Sequence, residues 1–368
     1  MRVLDLGRVL SGPFCAALLA DLGAEVIKVE PPEGDDSRLF GPFVAGECAY
    51  FRLVNRGKHG ISLDLRAEAD REVLRGLVQR SDVLIEHFRP GTLDRLGLGD
   101  LERLNPRLVV ISISGFGQTG PLDGQAAYDL IAQAFSGLIS VTGWSASSPT
   151  RCGVSLGDMV PALYGALAAV AALRQREHTG RGQRIDVAMV DSLVSILESV
   201  AMRALHSDEE IIPCGNDHAQ TAPLSTDTAA DGLVAIGVSN DQLFERLAAA
   251  LCPDWLVDPR FVPYTIRCAH GHELRQEIER ALSAMTVEHS VAALTAAGVP
   301  AAPVNTVREA LAHPPLRARK MVVTEEDGFA TIASPIHLQG YQQSRQAPRQ
   351  GEHDQLISGW LAEPVRGG

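Results

Sequence analysis

The opening of the chain constrains the fold more than any other stretch. Val3-Leu4-Asp5-Leu6 has the composition of a short buried strand, and a turn containing Gly7 and Gly12-Pro13 follows. A helix from Phe14 to Leu22, a Gly23 stop and a second strand, Glu25–Glu30, complete the pattern. Strand, helix and strand in about thirty residues form a βαβ unit, whose two strands must run parallel. The expectation is therefore an α/β fold, a Rossmann-like open parallel sheet forming a large domain. Further strand-like runs at Ile61–Leu65, Asp82–Glu86, Leu108–Ile113 and Gln183–Met189, with a charged helix Glu68–Gln79 among them, extend it. The dinucleotide fingerprint G-x-G-x-x-G is missing, since the turn reads Gly7-Arg8-Val9-Leu10-Ser11-Gly12. Glu30 stands where a nicotinamide-binding protein keeps its ribose acid, but without those glycines the backbone cannot approach a pyrophosphate.

In open α/β sheets ligands bind beyond the carboxyl ends of the strands. There the sequence places His87, Phe88 and Arg89, with Arg95 on the helix that follows, a set suited to a phosphate-bearing ligand or simply to solvated surface. A second focus is Gly153–Met189. Asp158 opens it, a long Ala/Leu helix follows, and a Thr179-Gly180-Arg181-Gly182 loop leads into a strand. Pro161 is expected in the first helical turn, with Asp158 just ahead of the helix facing its positive end. Asp158 thus reads either as an N-cap or as a functional carboxylate. Gly165 and the alanines after it leave little side chain on the helix, so another backbone can approach closely.

At 368 residues the chain is long enough for two domains. The boundaries expected are 1–200 with 330–368 for the large α/β domain, 201–223 for a linker, and 224–329 for a smaller α+β domain with its return linker. A formal net charge of -12 argues against nucleic-acid binding. Six scattered cysteines without a C-x-x-C pair suit reduced thiols rather than disulfides or zinc. His270 and His272 read as solvated, so no metal site is expected. No signal peptide precedes the first strand, and the uncharged run Met159–Leu173 is shorter than the ~20 residues of a membrane span. These features predict a cytoplasmic protein without membrane or nucleic-acid partners.

Six motifs occur in order: VLDLGRVLSGPFCAALLADLGAEVIKVEPPEGDDSR, NRGKHGISLDL, SDVLIEHFRPGTLDRLGL, YDLIAQAFSGL, LGDMVPALYGALAA and TGRGQRIDVAM. With GNDHAQTAPLSTDTAADGLVAIGVSNDQLFERL, AAGVPAAPVNTVREAL and GEHDQLI beyond them, nearly the whole chain resembles the class III CoA-transferase family, which also holds formyl-CoA transferase and α-methylacyl-CoA racemase. The resemblance implies a CoA-binding α/β domain split around a smaller one, and an interlocked homodimer. It also implies an acyl-CoA and a small carboxylic acid as substrates, with no tightly bound cofactor. In the transferases the carboxylate of the LGD motif attacks the acyl-CoA thioester, which makes Asp158 the expected nucleophile. An ordinary aspartate is ionised at pH 7 and needs no activating base. By the same matching, CoA contacts are expected at Leu10 and Ser11, at Leu63, Asp64, Leu65 and Arg66, and at His87, Phe88, Arg89 and Arg95. Gln125, Ala126, Ala127 and Tyr128 complete the set. The racemases use a His and an Asp as paired bases, and Tyr128 stands at the position of that His. Phenols ionise near ~10 and shuttle protons poorly at neutral pH, which favours transferase over racemase. A CoA-binding protein that has lost catalysis is the non-enzymatic alternative. Leu10 replaces a Gln of the formyl-CoA transferases, Pro31 replaces an Arg, and their glycine-rich loop has no counterpart near Gly215. Formyl-CoA and oxalate are therefore disfavoured as the substrate pair.

Overall fold

A computed structural model of the chain describes residues 1–339 and 346–362. It divides into two compact units, one comprising Met1–Ile139, Arg151–Glu210 and Ala318–Gly368, the other Ser140–Thr150 and Ile211–Arg317. The end of the expected large domain at 340–345 and 363–368 lies outside the described residues.

The first unit is built on six strands: β1 (Arg2–Asp5), β2 (Glu25–Glu30), β3 (Lys58–Ser62), β4 (Val83–Glu86), β5 (Val109–Ser114) and β6 (Arg184–Ala188). All neighbours pair in parallel, in the order β3-β2-β1-β4-β5-β6. The order reverses between β1 and β4, and this is the crevice in which such sheets bind ligands. Successive strand residues enter opposite cores. Val3, Val26, Val83, Ile85 and Ile111 face one side, while Leu4, Ile27, Leu84 and Val110 face the other. This is why β4 and β5 read as nearly unbroken apolar runs.

Helices α1 (Ser11–Asp21), α2 (Glu68–Val78), α3 (Asp129–Phe135), α4 (Leu156–Thr179) and α5 (Met189–Ser195) flank the sheet. Against α1 and β5, the long α4 buries Ala162, Ala166, Ala169 and Ala172. A side chain at Gly165 would lie 3.1 Å from Cys15 Sγ and 3.3 Å from Ile111 Cγ2, so the close backbone approach requires glycine there. By length and composition α4 is apolar enough to cross a membrane, yet its alanine face is packed in this core. Two expectations need correction. Helix α4 begins at Leu156, so Asp158 is its third residue and Pro161 its sixth. Pro161 therefore removes an internal bond, the one the Gly157 carbonyl would accept. After β6 the chain continues in two helices, α5 and Glu198–His206, and Glu198, at φ 40, opens the second.

Below the β1–α1 turn lies a dry polar network. Lys58 Nζ donates to Asp5 Oδ2 at 2.7 Å, to Asn55 Oδ1 at 2.8 Å and to the Pro13 carbonyl at 2.8 Å. Lys28 Nζ donates to Asp35 Oδ2 at 2.9 Å and also to the Gly7 carbonyl. Asp5 Oδ1 accepts from Gly7 N at 2.9 Å. A methyl at Gly7 would sit 2.8 Å from Gly12 Cα, so these two glycines serve the closure of the turn. The final described helix, Asp354–Ala362, returns to the first unit and adds Ile357 to its core beside α2.

The second unit has a three-stranded antiparallel sheet, β7 (Leu224–Ala229), β8 (Gly232–Gly237) and β9 (Ala301–Pro303), in the order β9-β8-β7. Helices α6 (Asp241–Leu251), α7 (Gly271–Leu282) and α8 (Val287–Ala296) contribute Phe244, Leu247, Leu274, Ile278 and Leu294 to its core.

Because Lys58 and Asp5 are both fully buried, removing one partner strands the other charge. Lys58→Met is expected to cost about 3–5 kcal/mol in urea denaturation. Combining it with Asp5→Leu is expected to restore part of that loss, because neither charge then remains.

Candidate active site

The site is assembled at the crevice between β1 and β4. The β1–α1 turn brings Leu10 and Ser11, both buried, to the carboxyl edge of the sheet. Ser11 Oγ donates to the Asp158 carbonyl at 3.0 Å, tying the start of α1 to the first turn of α4. His87, just past β4, lies within 3.5 Å of the position a Gly12 side chain would take. Burial holds the His87 pKa below its ordinary value. Asp35 pins the strained turn through Val9, whose φ is 63 and whose N–H points to the Asp35 carboxylate at 3.2 and 3.3 Å. Burial opposes the charge of Asp35, but Lys28 and the donors of Ser37 outweigh it and lower its pKa.

Asp158 itself is partly buried, and its carboxylate makes no hydrogen bond or ion pair with the described residues. Burial and the nearby charge of Asp129 raise its pKa from 3.8 to about 7. Asp158 is therefore not simply ionised at pH 7 as its residue type suggests. Near neutrality it divides between carboxylic acid and carboxylate, because desolvation and a like charge both penalise the anion.

Asp129 is the first residue of α3 and is buried. Its Oδ1 accepts from Gly157 N at 2.9 Å, its Oδ2 from Arg151 Nη2 at 3.3 Å. A Cβ at Gly157 would stand 3.0 Å from Asp129 Cα, so the residue before Asp158 has no room for a side chain. Tyr50, on the short helix Ala49–Asn55, is the other neighbour. Burial, then the charges of Asp158 and Asp35, push its hydroxyl up to about 12. It stays protonated and is available as a donor. Sequence reasoning missed both residues as site members. Asp129 lies inside a motif already singled out, but its link to Asp158 spans 29 positions and appears only in three dimensions. Nothing in the sequence marked Tyr50.

The remaining expected residues fall into two groups. Leu63, Asp64, Leu65, Arg66 and Phe88 line one cleft of about 260 Å³ with Leu6, Arg8, Glu30, Pro31 and Glu33. Arg66 is exposed there and is held by Asp64 at 2.7 Å, while Arg8 is held by Asp36 at 2.6 Å. Ala127 rests against Gly115 just past β5, and Tyr128, 82% exposed as a residue, precedes α3. By contrast, Arg89, Arg95, Gln125 and Ala126 are exposed, and none hydrogen-bonds to Asp158. Arg95 donates to Thr92 Oγ1 at 2.6 Å. No cluster of His, Cys, Asp or Glu among the described residues has the arrangement of a metal site.

Asp158 is thus held in the first turn of α4, joined to the β1–α1 turn through Ser11. The profile of CoA-transferase family III matches residues 1–354. The chain belongs to CoA-transferase family III. An acetyl-CoA:oxalate CoA-transferase from Acetobacter aceti is 40% identical to this family III member over 353 residues, covering 95% of this chain and 90% of that protein. A succinyl-CoA–D-citramalate CoA-transferase from Chloroflexus aurantiacus is 38% identical, covering 89% of this chain and 83% of that one. Among solved structures, a CAIB/BAIF family protein from Brucella suis superposes with a TM-score of 0.88 at 37% identity, covering 98% of each chain. This family III chain is thus an enzyme, a CoA-transferase acting between acyl-CoA and carboxylic acid.

The ionisation of Asp158 has a consequence for stability. In the unfolded chain it titrates near 3.8 and in the folded chain at about 7, so the contribution of this group to stability falls as pH rises between those values and is constant above them. Asp158→Asn is expected to be more stable than wild type by about 1–3 kcal/mol at pH 8, with the difference nearly gone at about pH 3. Urea denaturation at the two pH values measures the difference.

Proposed function

We propose that Asp158 is the nucleophile of this CoA-transferase and that a short dicarboxylic acid is its acceptor. What carries the reading is the Asp158 carboxylate, left without a partner at the mouth of a tightly packed turn. A carboxylate paired to an arginine is quenched as a nucleophile, whereas one raised to about 7 is more basic and more reactive once ionised. In the first step an Asp158 oxygen attacks the thioester carbonyl. The C–S bond breaks, CoA leaves as thiolate, and an acyl-aspartyl anhydride remains. The thiolate then attacks the aspartyl carbonyl, releasing the donor acid and leaving an aspartyl-CoA thioester. The acceptor carboxylate attacks that thioester to form a second anhydride. Returning thiolate attacks the acceptor's acyl carbon, giving the new acyl-CoA and free Asp158. The Tyr50 hydroxyl is suited to donate to an oxyanion formed along this sequence. Anhydrides hydrolyse readily, so the site must exclude water.

The cleft lined by Leu63–Arg66 and Phe88 suits the nucleotide end of CoA, with Arg66 and Arg8 supplying cations for its phosphates. Leu10, Ser11 and His87, together with Ala127 and Tyr128, lie towards Asp158 and suit the pantetheine end. Arg89, Arg95, Gln125 and Ala126 are assigned to the rim of this path. The named relatives act on oxalate, D-citramalate and, in an Agrobacterium fabrum protein, succinate and glutarate. These support a dicarboxylic acceptor, and the first of them returns oxalate to consideration despite Leu10 and Pro31.

We further propose a homodimer in the cytoplasm. On α4 the alanines face the core, while Leu163, Leu167 and Val170 are 52%, 66% and 46% exposed. Spacing of four and three puts them on one stripe, a face fit for a second copy of the chain. Six free cysteines and a net charge of -12 suit a reducing compartment free of nucleic-acid or membrane partners.

Asp158→Ala is expected to lose CoA exchange between succinyl-CoA and a panel of dicarboxylic acids by at least about 10³-fold. It is also expected to lose the hydroxylamine-trappable adduct on the Asp158 peptide; retained exchange in this variant refutes the mechanism. Because only the ionised form attacks, wild-type kcat/KM is expected to rise tenfold per pH unit below about 7 and to level above it. A flat profile between pH 5 and 8 would contradict the assignment.

A further inference from the structure

We propose that Gln133 is a positioning residue for the nucleophile, its side-chain amide gripping the segment that delivers Asp158 both directly and through Asp129. The inference rests on the assignment of Asp158 above.

Gln133 is fully buried on α3, one turn after Asp129. Its Nε2 donates to Asp129 Oδ1 at 2.8 Å and Oδ2 at 3.0 Å, and reaches the Val154 carbonyl at 3.4 Å. Its Oε1 accepts from Cys152 N at 2.9 Å. Both ends of the amide are thereby fixed, nitrogen towards acceptors and oxygen towards a donor. Asp129, aligned in this way, accepts from Gly157 N and Arg151. One turn of a short helix thus holds residues 151, 152, 154 and 157.

The grip matters because of what it holds. Residues 151–155 belong to neither helix nor strand, so no regular ladder fixes the approach to Leu156. The stretch immediately before Arg151, Ser140–Thr150, belongs to the other compact unit. The entry to α4 therefore depends on side chains for its placement, and a misplacement of about 1 Å at a reacting group costs about 10²-fold in rate. Only an amide of this length can donate to Asp129 and accept from Cys152 together. Glutamate has the shape but no donor when ionised, and it would set a second carboxylate against Asp129. Methionine and leucine have neither group.

The test uses the full-length chain and reads aspartyl-adduct formation on the Asp158 peptide by quenched-flow mass spectrometry, with acetyl-CoA and succinyl-CoA as probes. Gln133→Leu and Gln133→Glu are expected to slow adduct formation by about 10–100-fold. Binding of free CoA, measured by calorimetry, should change less than twofold. Gln133→Glu should also move the pH midpoint of adduct formation upward, because another negative charge disfavours ionisation of Asp158. A purely structural role would lower the melting temperature without moving that midpoint. Adduct formation within twofold of wild type and an unmoved midpoint in Gln133→Glu overturn the proposal while leaving Asp158 as nucleophile. Absence of any adduct in the wild-type chain with both probes overturns the nucleophile assignment, and the proposal with it. If Gln133→Leu fails to fold, Gln133→Met and Gln133→Glu carry the same readouts.

Discussion

Two ammonium groups, buried out of reach of water beneath the β1–α1 turn, are the constraint on which the rest of this structure depends. Lys58 and Lys28 each answer a carboxylate, and each also donates to a backbone carbonyl of the turn, Pro13 and Gly7 respectively. Burying a charge is costly unless it is paired and its hydrogen bonds are met, and here both conditions hold. Burial still pulls the Lys58 pKa down to about 8 against the attraction of Asp5. Such a network contributes little net stability compared with an apolar core. It does supply direction: the carbonyls it engages belong to the segment that carries Leu10 and Ser11, and Ser11 in turn holds the Asp158 backbone. Position is transmitted from sheet to turn to the Asp158 backbone through bonds with fixed geometry.

The contrast with Asp158 is chemical. Asp5, Asp35 and Asp129 are surrounded by donors, whereas the Asp158 carboxylate has none among the described residues. A protein that satisfies three neighbouring carboxylates and leaves the fourth bare carries a local cost in stability. That cost is what makes the anion basic, since desolvation and Asp129 disfavour charge on an oxygen that attack would neutralise into an acyl bond. On the proposed mechanism acylation removes that charge, so part of the energy held against the free carboxylate would be released in the step.

Much of the sheet was legible in the sequence. Short apolar runs marked β1, β2, β4 and β5, and the short βαβ spacing at the start of the chain made the first two parallel. The start of β3 was not, because Lys58-His59-Gly60 has the composition of a loop. Lys58 belongs in a core strand only because Asp5, 53 residues away, is there to meet it. The N-terminus of α4 was misplaced for a related reason. Pro161 signals a first turn by local rules, but Gly157 N finds its acceptor in Asp129, 28 residues earlier, and the helix can begin ahead of the proline. The ionisation of Asp158 was misjudged because residue type sets only a reference value. In each case the deciding partner was distant in sequence and close in space.

Helix α4 shows how one element meets several demands at once. A core helix ordinarily turns its large aliphatic residues inward and its small or polar ones outward. Here alanines and Gly165 face the sheet, which draws the axis close to α1 and lets Ser11 reach the first turn; bulkier residues would push α4 away and break that bond. The leucines displaced from the core have to go somewhere, and they appear on the opposite stripe. Exposed there, Leu163 and Leu167 would each forfeit roughly 1–2 kcal/mol of burial, a loss that a second copy of the chain would recover. The small inner face that brings Asp158 against the β1–α1 turn and the exposed apolar outer face are therefore two sides of one sequence choice.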